Sequence, residues 1–164
     1  MAYQLPECKN QKVPAASCGF NHKMPLQVRF NDIDILGHIN NSVYLSFLDL
    51  AKAEYLTTAT SARVEIGGIA VAIVNISCSF FSPGYFNEPL EAVTAVTRVS
   101  HRSLCMEQRI YNPTTGDVKC IANTVMAGFD PRTAKGAEIP QEFIDELEAF
   151  EQRSLFVEKT MKSK

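Results

Sequence analysis

The run Val43-Tyr44-Leu45-Ser46-Phe47-Leu48-Asp49-Leu50-Ala51-Lys52-Ala53-Glu54-Tyr55-Leu56 limits the fold more than any other part of the chain. It contains no Gly or Pro and reads as helix, with Asn41 or Ser42 as N-cap. Its apolar side chains point in nearly every direction. Val43, Phe47 and Leu50 share one side, Tyr44, Leu48 and Ala51 lie beside them, and Leu45 and Leu56 fall further round. A surface helix carries one apolar stripe, whereas a helix apolar around most of its circumference is a buried one. Asp49 and Lys52, at i and i+3, are the strip expected to touch solvent. The rest of the chain must therefore enclose this helix.

The chain beyond the helix is strand-like. Ile69–Phe81 is rich in β-branched residues and ends at the turn Ser82-Pro83-Gly84. Pro89–Val99 alternates, Leu104–Tyr111 comes after a short connection, and Val118–Phe129 comes after the hairpin loop Asn112–Asp117. Ahead of the helix, Leu26, Val28 and Phe30 alternate with Gln27 and Arg29 as in a half-buried strand. Short links between consecutive strands imply antiparallel pairing. A last helix starts at Pro140 as its first residue and runs from Glu142 to about Arg153. The expected class is α+β, one curved antiparallel sheet wrapped around one long helix. The sheet's outer face and its edge still need cover, which predicts a homo-oligomer. Residues 26–153 form the expected domain. Residues 1–25, with Pro6, Pro14 and Pro25 and no periodicity, read as an irregular extension. Residues 154–164 read as a tail, loose from Glu158 to Lys164.

Composition narrows the function classes. The 164 residues suffice for one domain with its own core. Sixteen Lys and Arg against 18 Asp and Glu give a charge of −2, which disfavours a basic nucleic-acid binder. No apolar run has the ~20 residues of a membrane span. The five cysteines are odd in number and contain no C-x-x-C pair, which predicts reduced thiols in a cytoplasmic protein. Cys78, Cys105 and Cys120 fall in strand patterns and read as small hydrophobes. Ala15-Ala16-Ser17-Cys18 has the small residues of a lipoprotein cleavage site, but the polar Pro6–Lys12 stretch before it supplies no apolar core for export. There is no Gly-x-Ser-x-Gly elbow, so a serine hydrolase lacks its main sign.

Chemistry concentrates in residues 28–45. Asp32, Asp34 and His38 crowd the loop before the long helix, whose start offers unpaired N–H groups and a partial positive charge. Such donors can stabilise an oxyanion developing on a carbonyl. A carboxylate a few residues upstream can attack the same carbon or activate water against it. Ester and thioester hydrolysis need these two parts. Acidic residues before a helix also serve as capping and turn residues with no catalysis, and spacing alone leaves both readings open.

The string Phe30-x-Asp32-x-Asp34-x-x-Gly37-His38-Ile39-Asn40-Asn41-x-x-Tyr44 resembles the signature of the hotdog-fold acyl-CoA thioesterases, the 4-hydroxybenzoyl-CoA thioesterase-like family. Weaker likenesses come after it in order. Phe81-Ser82-Pro83 is similar to the family's aromatic-x-Pro, Asn87-Glu88 stands where Gly-Asp is usual, and Ser100–Leu104 is similar to its Gly-Arg-Ser-Ser loop. Phe129-Asp130 resembles the end of its last strand. The resemblance spans about residues 26 to 150. It implies a hotdog fold, dimers joined sheet edge to sheet edge or tetramers, and active sites between subunits.

The resemblance also implies roles. Asp34 matches the catalytic carboxylate, the backbone N–H of Asn41 the donor to the thioester carbonyl, and Asp32 a structural position. Asp34 and His38 also have the spacing of a plant-type acyl-ACP thioesterase string, whose His is catalytic, but Leu36 stands where that string has Asn. His38 is thus expected to assist or orient, or else to bond backbone in its loop. Glu54, on an apolar side of the helix, is expected to be hydrogen-bonded and structural. Tyr44 is expected to line the acyl pocket, with Leu48 and Phe80. His101, Arg102 and Ser103 are expected to meet the phosphates of coenzyme A. No metal or redox cofactor is expected, and coenzyme A enters as part of the substrate. An acyl carrier protein is the other possible thiol carrier. Two further readings are a non-catalytic acyl-CoA-binding module on the same fold and a hotdog 3-hydroxyacyl dehydratase.

Overall fold

A computed structural model of the chain describes residues 1–61 and 68–157. The element order is β1 (His22–Leu26), a 3-10 turn (Phe30–Asp32), α1 (Asn41–Ala59), β2 (Ala70–Phe80), β3 (Leu90–Val99), β4 (Ser103–Tyr111), β5 (Val118–Asp130), β6 (Lys135–Gly136) and α2 (Gln141–Glu151). The strands form one antiparallel sheet in the order β1-β3-β4-β5-β2, with β6 added to the end of β5. This is the α+β hotdog architecture expected from the sequence. The predicted Glu158–Lys164 tail lies outside the described residues.

Alternation decides which side chains meet the helix. Ala92 and Val96 of β3, Met106 and Ile110 of β4, and Cys120, Ala122 and Met126 of β5 point inward. Against them α1 buries Tyr44, Phe47, Leu48, Ala51, Tyr55 and Ala59, at spacings of three, one, three, four and four. Gln108 reaches through this layer and donates to the Leu48 carbonyl at 2.8 Å. The helix is therefore striped, not buried all round: Leu45 is 42% and Leu50 55% exposed in the single chain. The sheet covers one side of α1, and among the described residues the rest of the helix stays bare, Leu45 lying beside Ile73 and Ile76 of the edge strand β2. Asp49 and Lys52 do pair on the solvent side.

Three boundaries differ from the sequence reading. The first strand is His22–Leu26 rather than Leu26–Phe30. It pairs with β3 from His22 opposite Thr94 to Leu26 opposite Leu90, and Phe30, 79% exposed, has left the sheet. The N-cap of α1 is Asn40, whose side chain accepts from Ser42 N at 2.9 Å, not Asn41 or Ser42. Pro140 is the N-cap of α2 rather than its first residue.

The first twenty residues lie across the outer face of the sheet. Leu5, Cys8, Val13 and Cys18 pack on Phe20, Val93, Ala95, Tyr111, Val118 and Ile121. Arg109 Nη1 donates to the Pro14 carbonyl at 2.9 Å, and the Ser17 hydroxyl donates to Glu107. Of the predicted irregular extension 1–25, residues 1–20 are irregular in backbone yet docked, and residues 22–25 belong to β1. The outer face expected to need a second copy is covered by the chain itself, while among the described residues β2 is an open edge. The start of the predicted tail also packs: Leu155 is buried and Phe156 bridges Val99.

Candidate active site

The loop before α1 is closed on itself by backbone bonds. Asp34 N donates to His38 O at 2.8 Å and Gly37 N to Asp34 O at 3.0 Å, while Ile33 bridges Ile39. Gly37 sits at φ +78°, a left-handed conformation that glycine adopts at no steric cost. The two aspartates, two residues apart, have separate fates. Asp32 is buried, accepts from Arg29 N at 2.7 Å and pairs with the Arg29 guanidinium at 3.0 Å. Burial alone pushes its carboxyl up, but the Arg29 hydrogen bonds and charge outweigh that and hold it below the usual carboxylate range. Asp32 is thus spent on structure.

Asp34 faces a cavity of about 460 Å³, lined also by His38, Asn41, Tyr44, Phe80 and Ser82. Its Oδ1 accepts from Leu36 N at 2.8 Å and His38 N at 3.2 Å, which fixes the carboxylate. Its Oδ2 makes no hydrogen bond among the described residues. The start of the helix supplies the opposite charge. Ile39 N donates to Gly84 O, Asn40 N to Asp32 O, Ser42 N to the Asn40 side chain and Val43 N to Asn40 O. Among the described residues, Asn41 N–H is the amide in this run with no partner. One cavity therefore holds an anchored carboxylate and a free backbone donor at a helix N-terminus, the pair that acyl transfer requires.

The other predicted residues divide. The His38 ring packs edge-on against Tyr85 at 5.3 Å and its nitrogens bond nothing among the described residues. Tyr44 lines the cavity with its ring against Phe80 at 5.5 Å. Burial, chiefly, and the nearby acidic groups raise its hydroxyl well above the usual tyrosine range. Leu48 is a core residue and not a wall of this cavity. Glu54 bonds the buried His22 at 2.6 Å, a structural contact between α1 and β1. His101, Arg102 and Ser103 lie at the far end of β4, a nine-residue strand of about 27 Å. There the His101 and Arg102 carbonyls accept from Ile139 N and Gly128 N, and in a single chain none of the three lines the cavity. Ser82, Pro83 and Asn40, which do line it, were not among the expected site residues. Ser82-Pro83 carried a signal as the turn closing the second predicted strand; nothing in its residue types pointed at the cavity.

Known proteins share the sequence pattern and the fold. The family model of the thioesterase-like superfamily matches residues 28–147. The long-chain acyl-CoA thioesterase FadM of Escherichia coli (strain K12) is 26% identical over 124 residues, which is 75% of this chain and 94% of that protein. Among solved structures, a thioesterase from Thermus thermophilus complexed with coenzyme A and Zn has the same fold. Its TM-score is 0.73 at 24% identity, covering 83% of this chain and 98% of that one. The PA5185 protein from Pseudomonas aeruginosa strain PAO1 aligns with a TM-score of 0.72 at 28% identity, over 84% of this chain and 95% of that one.

Proposed function

The chain belongs to the thioesterase-like superfamily, and on that premise we propose that it hydrolyses the thioester of an acyl-CoA, or of an acyl carrier protein, to a free acid and a thiol. One observation carries this reading: the anchored Asp34 carboxylate and the unpartnered Asn41 amide share a single cavity. The substrate carbonyl oxygen accepts from Asn41 N–H, where the helix dipole adds to the field. Asp34 Oδ2 then takes a proton from water as the water oxygen bonds the acyl carbon. Alternatively Oδ2 attacks the carbon itself, and water cleaves the resulting anhydride. In both routes the C–S bond breaks, the thiolate leaves and takes up a proton, and the acid is released. His38, with free ring nitrogens beside the cavity, orients the thioester or the water. Tyr44 and Phe80 form the acyl wall.

The active unit in this reading is a dimer or larger assembly formed along β2. Within one chain the 101–103 turn lies near the Ala70 end of β2, because Ser103 pairs with Ala127 and Ala70 with Phe129. The cavity lies at the Phe80 end. A two-fold axis that pairs β2 with β2 antiparallel reverses one copy. It carries the His101–Ser103 turn of the second copy to the cavity end of the first, where Arg102 and His101 suit the coenzyme A phosphates.

Two substitutions test the chemistry. Asp34→Asn keeps an oxygen for the Leu36 and His38 amides and removes the charge; hydrolysis of a panel of acyl-CoAs falls roughly 100-fold or more. Asn41→Pro deletes the N–H together with the side chain, and Asn41→Ala controls for the side chain. Proline suits the first helical position, and Asn40 is already extended at φ −61°, ψ 139°. The rate falls on the order of 100-fold, whereas Asn41→Ala, which keeps the amide, leaves it within about threefold. Equal activity in Asp34→Asn and wild type overturns the assignment of Asp34. Binding of acyl-CoA without turnover by the wild type favours the non-catalytic module instead.

A further inference from the structure

Lys119 is an unusual residue to find inside this sheet. It lies near the start of β5 and is 2% exposed. Its ammonium donates to Asp117 at 2.8 Å and to the Pro83 carbonyl at 3.0 Å, and it pairs with the Glu88 carboxylate at 2.6 Å. Two of these lie on one short loop, Pro83 near its beginning and Glu88 at its end. The third binds the same loop indirectly, since the Ser82 hydroxyl donates to Asp117 at 2.8 Å. Glu88 is itself saturated, taking Asn112 Nδ2 at 2.9 Å on Oε1 and Tyr85 N at 3.0 Å on Oε2. The cluster sets one buried ammonium against two carboxylates that also take neutral donors, and a hydrogen-bonded network of that kind holds one geometry.

The loop it holds faces the site. Ser82 and Pro83 line the cavity. The Gly84 carbonyl accepts from Ile39 N at 2.9 Å, two residues ahead of Asn41. A side chain at Gly84 would run into the Tyr44 hydroxyl and Ile39. The Tyr85 ring packs on His38. We propose that Lys119 is a positioning residue: by tying both ends of the Ser82–Glu88 loop, it fixes the cavity wall that stands across from Asp34 and the start of α1. This deepens the thioesterase reading and rests on it for its kinetic consequence.

The consequence is a split between binding and chemistry. Asp34 and Asn41 are held by bonds that do not involve Lys119: the Leu36 and His38 amides on Asp34, and the Asn40 cap on α1. Loss of the ammonium frees the wall and leaves the reacting groups in place. Lys119→Met, close to lysine in length and uncharged, is expected to raise KM for an acyl-CoA roughly tenfold with kcat within about threefold of wild type. Lys119→Arg is expected to restore part of the loss. In the Lys119→Met variant, hydrogen exchange speeds up at the Tyr85 and Glu88 amides and stays unchanged through the middle of α1. A fall in kcat with KM unchanged, or no kinetic change, overturns the proposal. If Lys119→Met does not fold, Glu88→Gln gives the decision, because it removes the charge facing the ammonium while its amide oxygen still accepts from Asn112 Nδ2, losing only the bond from Tyr85 N. A several-fold rise in KM supports the proposal and a wild-type KM overturns it. A wild type inactive on every thioester sinks the thioesterase reading alone, and the exchange pattern then decides whether Lys119 holds the loop.

Discussion

The outer face of the sheet carries Val93, Ala95, Tyr111, Val118 and Ile121, and the chain's own first twenty residues lie on it. The edge strand β2 carries Ile73, Val74, Ile76 and Phe80, all exposed, and nothing among the described residues lies on it. Leu45 of α1 joins Ile73 and Ile76 along a shallow groove beside that edge. Both surfaces are apolar, and their difference shows what the extension does. It covers the outer face and leaves bare, among the described residues, the edge that borders the candidate site. An open, apolar edge strand is a template for pairing, so a second copy is expected at β2 and not across the outer face.

Two introduced charges test that contrast, and the larger effect belongs to the covered face. Val93 is fully buried beneath the extension. Val93→Asp places a carboxylate among apolar groups with no partner and is expected to cost roughly 4 kcal/mol, read from the urea midpoint. Ile76, at 39% exposure, has little to lose within one chain. Ile76→Asp is expected to cost under about 1 kcal/mol in a single copy. It should reduce the mass in sedimentation to that of one chain and lower hydrolysis at least tenfold, because the second copy's 101–103 turn is then absent from the site. A variant that keeps its mass and its rate would break the contrast and the proposed assembly with it.

A milder change probes how the cover is fastened. Glu107 and Arg109 are a buried ion pair, 2.7 Å apart on the outer face. The second Glu107 oxygen depends on the extension, taking the Ser17 backbone N–H at 3.2 Å and its hydroxyl. Ser17→Ala removes one donor to a buried carboxylate. The expected loss is about 1 kcal/mol, with proteolysis becoming faster between Pro6 and Pro14 and not in β2.

The contrast also explains what the sequence revealed. Period-2 and period-3.6 patterns exposed the strands and α1, because those elements bury alternate or striped residues against a single partner. The extension left no such signal. Its prolines prevent a strand ladder, and Leu5, Val13 and Cys18 reach the sheet at irregular intervals. The apolar circumference of α1 was legible, but its meaning was not: Leu45 beside the β2 edge and Leu50 on another side of the helix both stay exposed among the described residues. Asp34 and Asn41 were readable because a motif and a helix start coincide there. Lys119 was not, since a lysine in a strand looks solvent-facing until the Pro83–Glu88 loop arrives from another segment to enclose it beside its neighbour Asp117.

The smallest expected effect is a pH dependence of the covered face. Tyr111 donates to Glu91 at 2.6 Å beneath the extension, and burial, then that bond and the Glu91 charge, raise its hydroxyl above the usual tyrosine range. In the unfolded chain the same group ionises near its ordinary value of about 10. A group whose folded value is the higher one contributes fully below that ordinary value, and its contribution is lost as pH rises toward the folded value. The thermal midpoint should therefore fall between about pH 9 and 11, through Tyr111 on the outer face and through the similarly raised Tyr44 and Tyr55 under α1. Tyr111→Phe removes one of these three contributions. The variant starts lower at about pH 8 for lack of its bond to Glu91, and its midpoint declines less steeply above about pH 9. β2 contains no tyrosine, so Ile76→Asp should keep the wild-type slope in this range. A slope changed by Ile76→Asp and untouched by Tyr111→Phe would mean that alkali attacks the open edge first.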